Sequence, residues 1–333
     1  PWSTLRPELY VSGSQQVYAA NPDSFHITRT GQILACGKDP YFPAWTDTLQ
    51  LNHARDDVRE VLRGVLQQLA AQCDGVRCDM AMLVIPEVFS RTWGQHMSEG
   101  FWPRAIAEVR ARHPQFQFFA EVYWDLEWEL MQQGFDGCYD KRLYDRLSRR
   151  EIGGVRDHLR AEMVFQSRLL RFTENHDEPR AIHHFPGFHH AAALIAATAP
   201  GTFLLHEGQE LGLARKNPVQ LLRRDNTETN DDTRAFHVRL AALMGHPALL
   251  GSMNVVDLHG GVIAFVRGSG PAQLLTLVNL TDQAVELRVP SSVWPAGAHI
   301  LSTRNTTAPV VLGGDGGAVL TLAALEGWCV SAG

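Results

Sequence analysis

Asp74-Gly75-Val76-Arg77-Cys78-Asp79 is the stretch on which the architecture of this chain turns. It is too short for a helix, ends on a charged residue, and follows directly on Asp56 to Ala71. There Val58, Val61, Leu62, Val65, Leu66 and Leu69 recur at three- and four-residue spacing. That spacing predicts an amphipathic helix, and the hexapeptide after it reads as a buried strand. The alternation continues with a helix around Pro103 to His113, a strand from Phe116 to Glu121, a helix from Leu126 to Gln133 and a strand from Phe135 to Cys138. A helix from Arg156 to Ser167, a strand from Leu169 to Thr173, a helix from His189 to Ala197 and a strand from Gly201 to His206 complete the series. Strands alternating with helices and tipped with charge predict a parallel α/β sheet whose chemistry gathers at the strand C-terminal ends. Five strands are countable, whereas a closed barrel needs eight, so the residues leave open three strands upstream or an open sheet.

Outward from this core the character changes twice. Residues 1–52 are rich in Pro, aromatics and turn residues without a sustained period, which predicts a loop-rich segment. Beyond about Gly251, short runs at Val262 to Arg267, Leu274 to Asn279, Ala284 to Val289 and Ala318 to Ala323 are separated by Gly, Pro and Asn. They predict an antiparallel β-sandwich, with Gly313 to Gly317 as a hairpin turn rather than a phosphate loop, since no helix follows it. The expected domains are therefore 1–52, 53–250 and 251–333.

Bulk composition excludes several classes of function. With 333 residues, 45% hydrophobic and 20% charged, the chain reads as globular, and its net charge of -6 without basic runs offers no footprint for nucleic acid. No apolar run approaches the roughly 20 residues that span a bilayer, so no membrane partner is expected. The five cysteines, Cys36, Cys73, Cys78, Cys138 and Cys329, lack CxxC spacing and read as buried thiols of a reducing, cytoplasmic compartment. No signal-like segment precedes the first folded stretch. His183, His184, His189 and His190 have no defined ligand spacing and read as loop and helix-start residues, and no metal ligand is assigned. His206-Glu207-Gly208-Gln209-Glu210 lacks the second histidine of a zinc-protease motif.

Three strand tips carry acids. On the first, Arg77 and Asp79 share a face by strand parity; on the second, Gln117, Phe119 and Glu121 do. Beyond the strand at Leu169 lies Glu174-Asn175-His176-Asp177-Glu178. Retaining hydrolysis at a sugar carbon needs a carboxylate nucleophile and a carboxylic acid about 5–5.5 Å apart, with negative charge near the oxocarbenium ion. An arginine beside Asp79 favours its ionised form, while the apolar Phe118 and Phe119 beside Glu121 favour the protonated form of an acid catalyst. Tyr123 and Trp124 follow the acid directly, where aromatic faces serve either sugar stacking or core packing; Trp93, Trp102 and Trp128 read as packing residues.

Taken together these segments resemble the α-amylase family, glycoside hydrolase family 13. Gly75-Val76-Arg77-Cys78-Asp79 is similar to that family's strand-four signature, Phe119-Ala120-Glu121 to its strand-five signature, and Thr173-Glu174-Asn175-His176-Asp177 to its strand-seven signature. Asp47 to Asn52 resembles the short element ahead of strand four, and His206 to Glu210 the end of strand eight. The resemblance implies a partial (β/α)8 barrel, strands four to eight, with a C-terminal β-sandwich. It further implies Asp79 as nucleophile, Glu121 as general acid/base, Asp177 as transition-state stabiliser, and Arg77, His176, Tyr123 and Trp124 as substrate-binding residues. The implied partner is an α-linked glucan or oligosaccharide, and the implied function its hydrolysis. Transfer to another sugar by the same mechanism, or a truncated carbohydrate-binding remnant without catalysis, are the alternatives. The family's strand-three signature, an Asp followed by an Asn-His pair, is absent, and Pro1-Trp2-Ser3 resembles the residues just after it. The first three strands are thus expected to lie ahead of Pro1. With them goes a usual ligand of the calcium that the resemblance implies for the full-length fold.

Overall fold

The computed structural model describes residues 2–219, 228–295, 299–304 and 309–331. The chain divides into two compact units, residues 1–138 and 139–333.

In the first unit, the expected loop-rich segment holds a three-stranded antiparallel sheet, β1 (Phe25–Ile27), β2 (Ile33–Gly37) and β3 (Trp45–Leu49), in that order. Only β2 is buried throughout, and five consecutive residues are too few to register as a period against flanking turns. The helix Asp56–Ala70 follows, with Asp56 and Asp57 in its first turn facing the positive end of the helix dipole. Then come β4 (Gly75–Cys78), β5 (Gln117–Ala120) and β6 (Gly137–Tyr139), which ends at the boundary of the unit. Strand β4 pairs parallel to β5, Arg77 opposite Phe119, and β5 pairs parallel to β6. Gly75 is required by that pairing: a Cβ there would stand 2.7 Å from the Gln117 carbonyl oxygen. Between β4 and β5 run the helices Pro86–Trp93 and Phe101–Arg110, the second burying Phe101, Trp102, Ala105, Ile106 and Val109.

The second unit continues the alternation with the helices Lys141–Ser148, Ile152–Leu159 and Met163–Gln166. Strand β7 (Leu169–Arg171), the helix His189–Thr198 and β8 (Thr202–Phe203) follow. Strands β7 and β8 pair parallel, and Gly201, at φ +107°, brings the chain so close to the Leu169 carbonyl that no side chain fits. The single helix expected over Arg156 to Ser167 is two short ones, and the helix Lys141–Ser148 was not foreseen. Five parallel strands separated by helices make the partial (β/α)8 barrel.

After the helix Asp231–Met244 the chain enters the sandwich. One sheet contains β9 (Met253–Val255), β10 (Val262–Arg267), β11 (Leu274–Asn279), β13 (His299–Ser302) and β16 (Gly327–Ser331). The other contains β12 (Val285–Val289), β14 (Val311–Leu312) and β15 (Ala318–Leu322). Strand orders are β13-β16-β11-β10-β9 and β12-β15-β14, with antiparallel pairing throughout. Strand β12 alternates buried and exposed residues as a one-faced strand must, and Val285, Leu287 and Val289 join Val262, Leu277, Leu320 and Trp328 in one core. The Gly313 to Gly317 turn closes the β14–β15 hairpin, the Gly313 N–H donating to the Gly317 carbonyl at 2.8 Å.

All five cysteines are free, and Cys73 is exposed rather than buried as expected. Trp102 is buried and donates its indole N–H to the Ala81 carbonyl, but Trp128, read as a packing residue, is 44% exposed. Among the described residues no helix is long and apolar enough to cross a membrane.

Candidate active site

The first unit brings together Arg77, Asp79, Glu121 and Tyr123. Arg77 stands on β4, and Asp79 lies one residue past the strand's end. Glu121 follows β5 in the same way, and its backbone N–H donates to the Cys78 carbonyl at 3.0 Å, which carries the parallel register one residue beyond both strands. The guanidinium forks: Nη1 lies 2.6 Å from Asp79 Oδ2 and Nη2 2.8 Å from Glu121 Oε2. The sequence reading gave this cation to Asp79 alone, whereas the fold divides it between two acids.

Their surroundings differ sharply. The Asp79 side chain is 77% exposed, whereas that of Glu121 is 5% exposed. In addition to its ion pair with Arg77, Glu121 accepts hydrogen bonds from the Tyr123 hydroxyl at 2.8 Å and from the Met80 N–H at 2.8 Å. Met80 reaches it from a left-handed conformation, φ 42°, a geometry that costs about 1–3 kcal/mol for a non-glycine residue and collects at functional sites. Of the two phenylalanines expected beside Glu121, strand parity turns Phe118 away to pack on Phe116 and Phe135.

Trp124 and Asp125 are also left-handed, φ 64° and 62°, so the chain turns abruptly after Tyr123. The turn sets the half-buried Trp124 ring edge-on to Tyr41, with ring centres 4.9 Å apart. Tyr41 escaped the sequence reading. It sits at the tip of a loop pinned by the buried Asp39, whose Oδ1 accepts from the N–H groups of Tyr41 (2.6 Å) and Phe42 (2.8 Å). An Asp-Pro-aromatic-aromatic-Pro run is the one signal that pointed to an aromatic-bearing turn there.

His176 and Asp177 belong to the second unit and pair with each other, Nε2 to Oδ2 at 3.0 Å. Their turn is held from several sides. Asn175 Oδ1 accepts from the N–H groups of Asp177 and Glu178 at 2.8 and 2.9 Å, and Lys216 donates to the Asp177 carbonyl. Beneath the turn Glu174 is buried, and it accepts from Arg180 at 2.6 Å and from the Ala181 N–H at 2.6 Å, with His206 Nδ1 at 3.1 Å. Burial pushes the Glu174 carboxyl up, but His206, the Ala181 N–H and Arg180 outweigh it and hold the group below the usual carboxylate range. Neither Glu174 nor Arg180 announced itself as a framing residue, since the pair forms only when the turn folds back.

Asp140 is a further strand-tip acid, one residue past β6 and fully buried. It lies 3.0 Å from Arg171 Nε and 2.8 Å from His158 Nε2, and it caps the helix Lys141–Ser148 by accepting from the Leu143 N–H. Among the described residues no group of three or more His, Cys, Asp or Glu side chains is placed to share a metal ion.

No family model matches the chain. It is 27% identical over 308 residues to the α-amylase MalA of Haloarcula japonica, an alignment that takes in 85% of this chain and 42% of that protein. The chain thus spans less than half the length of this relative. Its fold is similar to that of an α-amylase from H. orenii, with a TM-score of 0.71 at 18% identity over 98% of this chain and 74% of the other. A debranching enzyme from Nostoc punctiforme has a TM-score of 0.68 at 20% identity, over 95% of this chain and 72% of the other. The chain is thus similar in sequence to one α-amylase along most of its own length, and it shares the fold of others along nearly all of it.

Proposed function

We propose that this chain carries the catalytic carboxylates of an enzyme that hydrolyses α-glucosidic bonds with retention, acting on an α-linked glucan or oligosaccharide. The observation that carries the reading is the guanidinium shared by Asp79 and Glu121, which holds a nucleophile candidate and an acid candidate on one cation at adjacent strand tips. Such closeness suits the retaining geometry of about 5–5.5 Å. In the first step an Asp79 oxygen bonds to the anomeric carbon as the glycosidic bond breaks, and Glu121 passes its proton to the departing sugar oxygen. In the second, water gives a proton to Glu121 and its oxygen to the anomeric carbon, releasing Asp79 as carboxylate. Asp177 would stabilise the oxocarbenium-like charge, with His176, Arg77, Tyr123 and Trp124 holding the sugar. The division into 1–52, 53–250 and 251–333 belongs to the same proposal, the middle segment bearing the chemistry.

The experiment is turnover of α-linked nitrophenyl glucoside and maltooligosaccharides by the chain and by Asp79→Asn. A loss of more than about a thousandfold is expected for the variant, since it removes the nucleophile. Turnover untouched by that change would strike Asp79 from its role. Sugar binding without turnover in the unaltered chain would favour the non-catalytic remnant. Product analysis with added acceptor sugar separates hydrolysis from transfer.

A further inference from the structure

Apart from the carboxylates, the polar groups that most demand an explanation are three imidazoles gathered on one threonine in the second unit. His189 and His190 open the helix His189–Thr198, while Thr233 and His237 lie on the helix Asp231–Met244. His189 Nε2 is 3.2 Å and His190 Nε2 3.1 Å from the same Thr233 Oγ1. His190 Nδ1 lies 3.2 Å from the Thr303 carbonyl oxygen, and His237 Nδ1 2.9 Å from that of Thr233. The His189 and His190 ring centres are 4.1 Å apart, and His190 and His237 6.4 Å, with Phe236 stacked on His190 at 4.4 Å. Two buried ring nitrogens, His189 Nδ1 and His237 Nε2, have no hydrogen-bond partner among the described residues.

These partners determine where each proton sits. A carbonyl only accepts, so His190 and His237 carry their protons on Nδ1. A neutral His190 therefore accepts at Nε2 from the Thr233 hydroxyl. That hydroxyl has one proton, so His189 must donate its Nε2–H to the same oxygen. With all three rings neutral every N–H is used, and only two lone pairs are left over. These are the two nitrogens without partners. One more proton would either create a buried N–H with no acceptor or displace the Thr233 hydroxyl from His190, and it would set a charge against a neighbouring ring.

We propose that this cluster is a proton-operated latch: neutral imidazoles tie the helix His189–Thr198 to the start of the helix Asp231–Met244, and protonation in acid releases the tie. Burial, followed by the neighbouring rings, drives His189 down to about 4 and His190 to about 3, and burial lowers His237. Glu174, from the turn after β7, opposes this at His189 and His237, Glu210, from beyond β8, at His237, and the Thr303 carbonyl at His190, while Arg239 reinforces it there. Asp231, Asp232 and Arg234 of the helix Asp231–Met244, His183 and His184 of the helix Ala181–His184 and Cys329 of β16 are further titratable groups on elements packed against the helix His189–Thr198. The latch frames the turn bearing Asp177. A Cβ on Gly212 would meet Asn230 and Thr233 at 2.8 and 3.0 Å, and the segment leading to Gly212 supplies the Glu207 carbonyl that holds Arg180 against Glu174.

Imidazole nitrogen NMR of the folded chain tests the proton positions directly. Nδ1–H is expected on His190 and His237, Nε2–H on His189, and all three rings are expected to titrate below the ordinary imidazole range. Opposite tautomers, or ordinary titration near 6.5, would overturn the proposal. The second test is the unfolding equilibrium from about pH 7 to about pH 4.5 in the unaltered chain and in a His189→Gln, His237→Asn double variant, whose amides keep the donating N–H but cannot take up a proton. Both imidazoles have folded values below the unfolded 6.5, so their stabilisation is present above 6.5 and lost as pH falls through the folded values, about 4 for His189. Each therefore steepens the acid dependence of the unfolding constant by up to about tenfold per pH unit, and the double variant should lose up to about a hundredfold per unit. Equal slopes in the two proteins would refute the latch.

Discussion

Arg77 is the residue that joins the two candidate catalytic carboxylates, since its guanidinium is paired with both. A guanidinium can do this through two nitrogens held in one plane, whereas an ammonium is a single point of charge on a flexible stem. Arg77→Lys should therefore leave the fold intact yet lower kcat/KM on α-linked nitrophenyl glucoside by about tenfold or more, the worth of one charge-assisted hydrogen bond. Unaltered kinetics in that variant would show that the fork has no part in turnover. The pairing of Arg77 with Asp79 was legible from strand parity alone, since residues two apart share a face. The reach to Glu121 was not, because it crosses from β4 to the end of β5.

Among the elements, β6 and the helix Lys141–Ser148 are joined by the acid that the sequence reading passed over. Burial pushes the Asp140 carboxyl up, but His158, Arg171 and the Leu143 N–H more than offset it and hold the group at about 2. Its folded value lies below the unfolded one of about 3.9. The stabilisation is thus complete above about pH 4 and lost as pH falls toward about 2. Asp140→Asn leaves Arg171 buried without its counter-charge and should cost about 3–5 kcal/mol in chemical denaturation at neutral pH, while flattening the acid limb between about pH 4 and pH 2. A cost below about 1 kcal/mol would mean that Arg171 finds compensation in Gln166 and the Pro200 carbonyl, which also accept from it. The strand-tip rule that located Asp79 and Glu121 applies equally to Asp140. The strand expected over Phe135 to Cys138 ends one residue short of the observed β6, which left Asp140 outside the pattern.

For the molecule as a whole, the helix Asp56–Ala70 has consequences in solution. Its stripe of Val61, Leu62, Val65 and Leu66 is only half-buried and Leu69 is 39% exposed, although the spacing is that of a core-facing helix. Apolar side chains left partly exposed along one face of a helix favour association. Sedimentation velocity should show mass rising with protein concentration, and a Leu66→Lys, Leu69→Lys variant should shift the distribution toward monomer with little loss of thermal stability. Concentration-independent monomers in the unaltered chain would contradict the expectation.

The order of strands and helices, the change to a sandwich after the barrel strands, and the acids at the tips of β4 and β5 and just beyond β7 were determined by the sequence alone. Periodicity and turn chemistry are local properties, written within a few residues of where they act. Tertiary structure alone decided the partners: Arg77 forked between two acids, the Met80 N–H on Glu121, Arg180 under the turn of Asp177, Arg171 on Asp140, and three imidazoles on Thr233. Each joins residues from separate elements or a folded-back turn, and a buried polar group pairs with whichever donor or acceptor packing delivers to it.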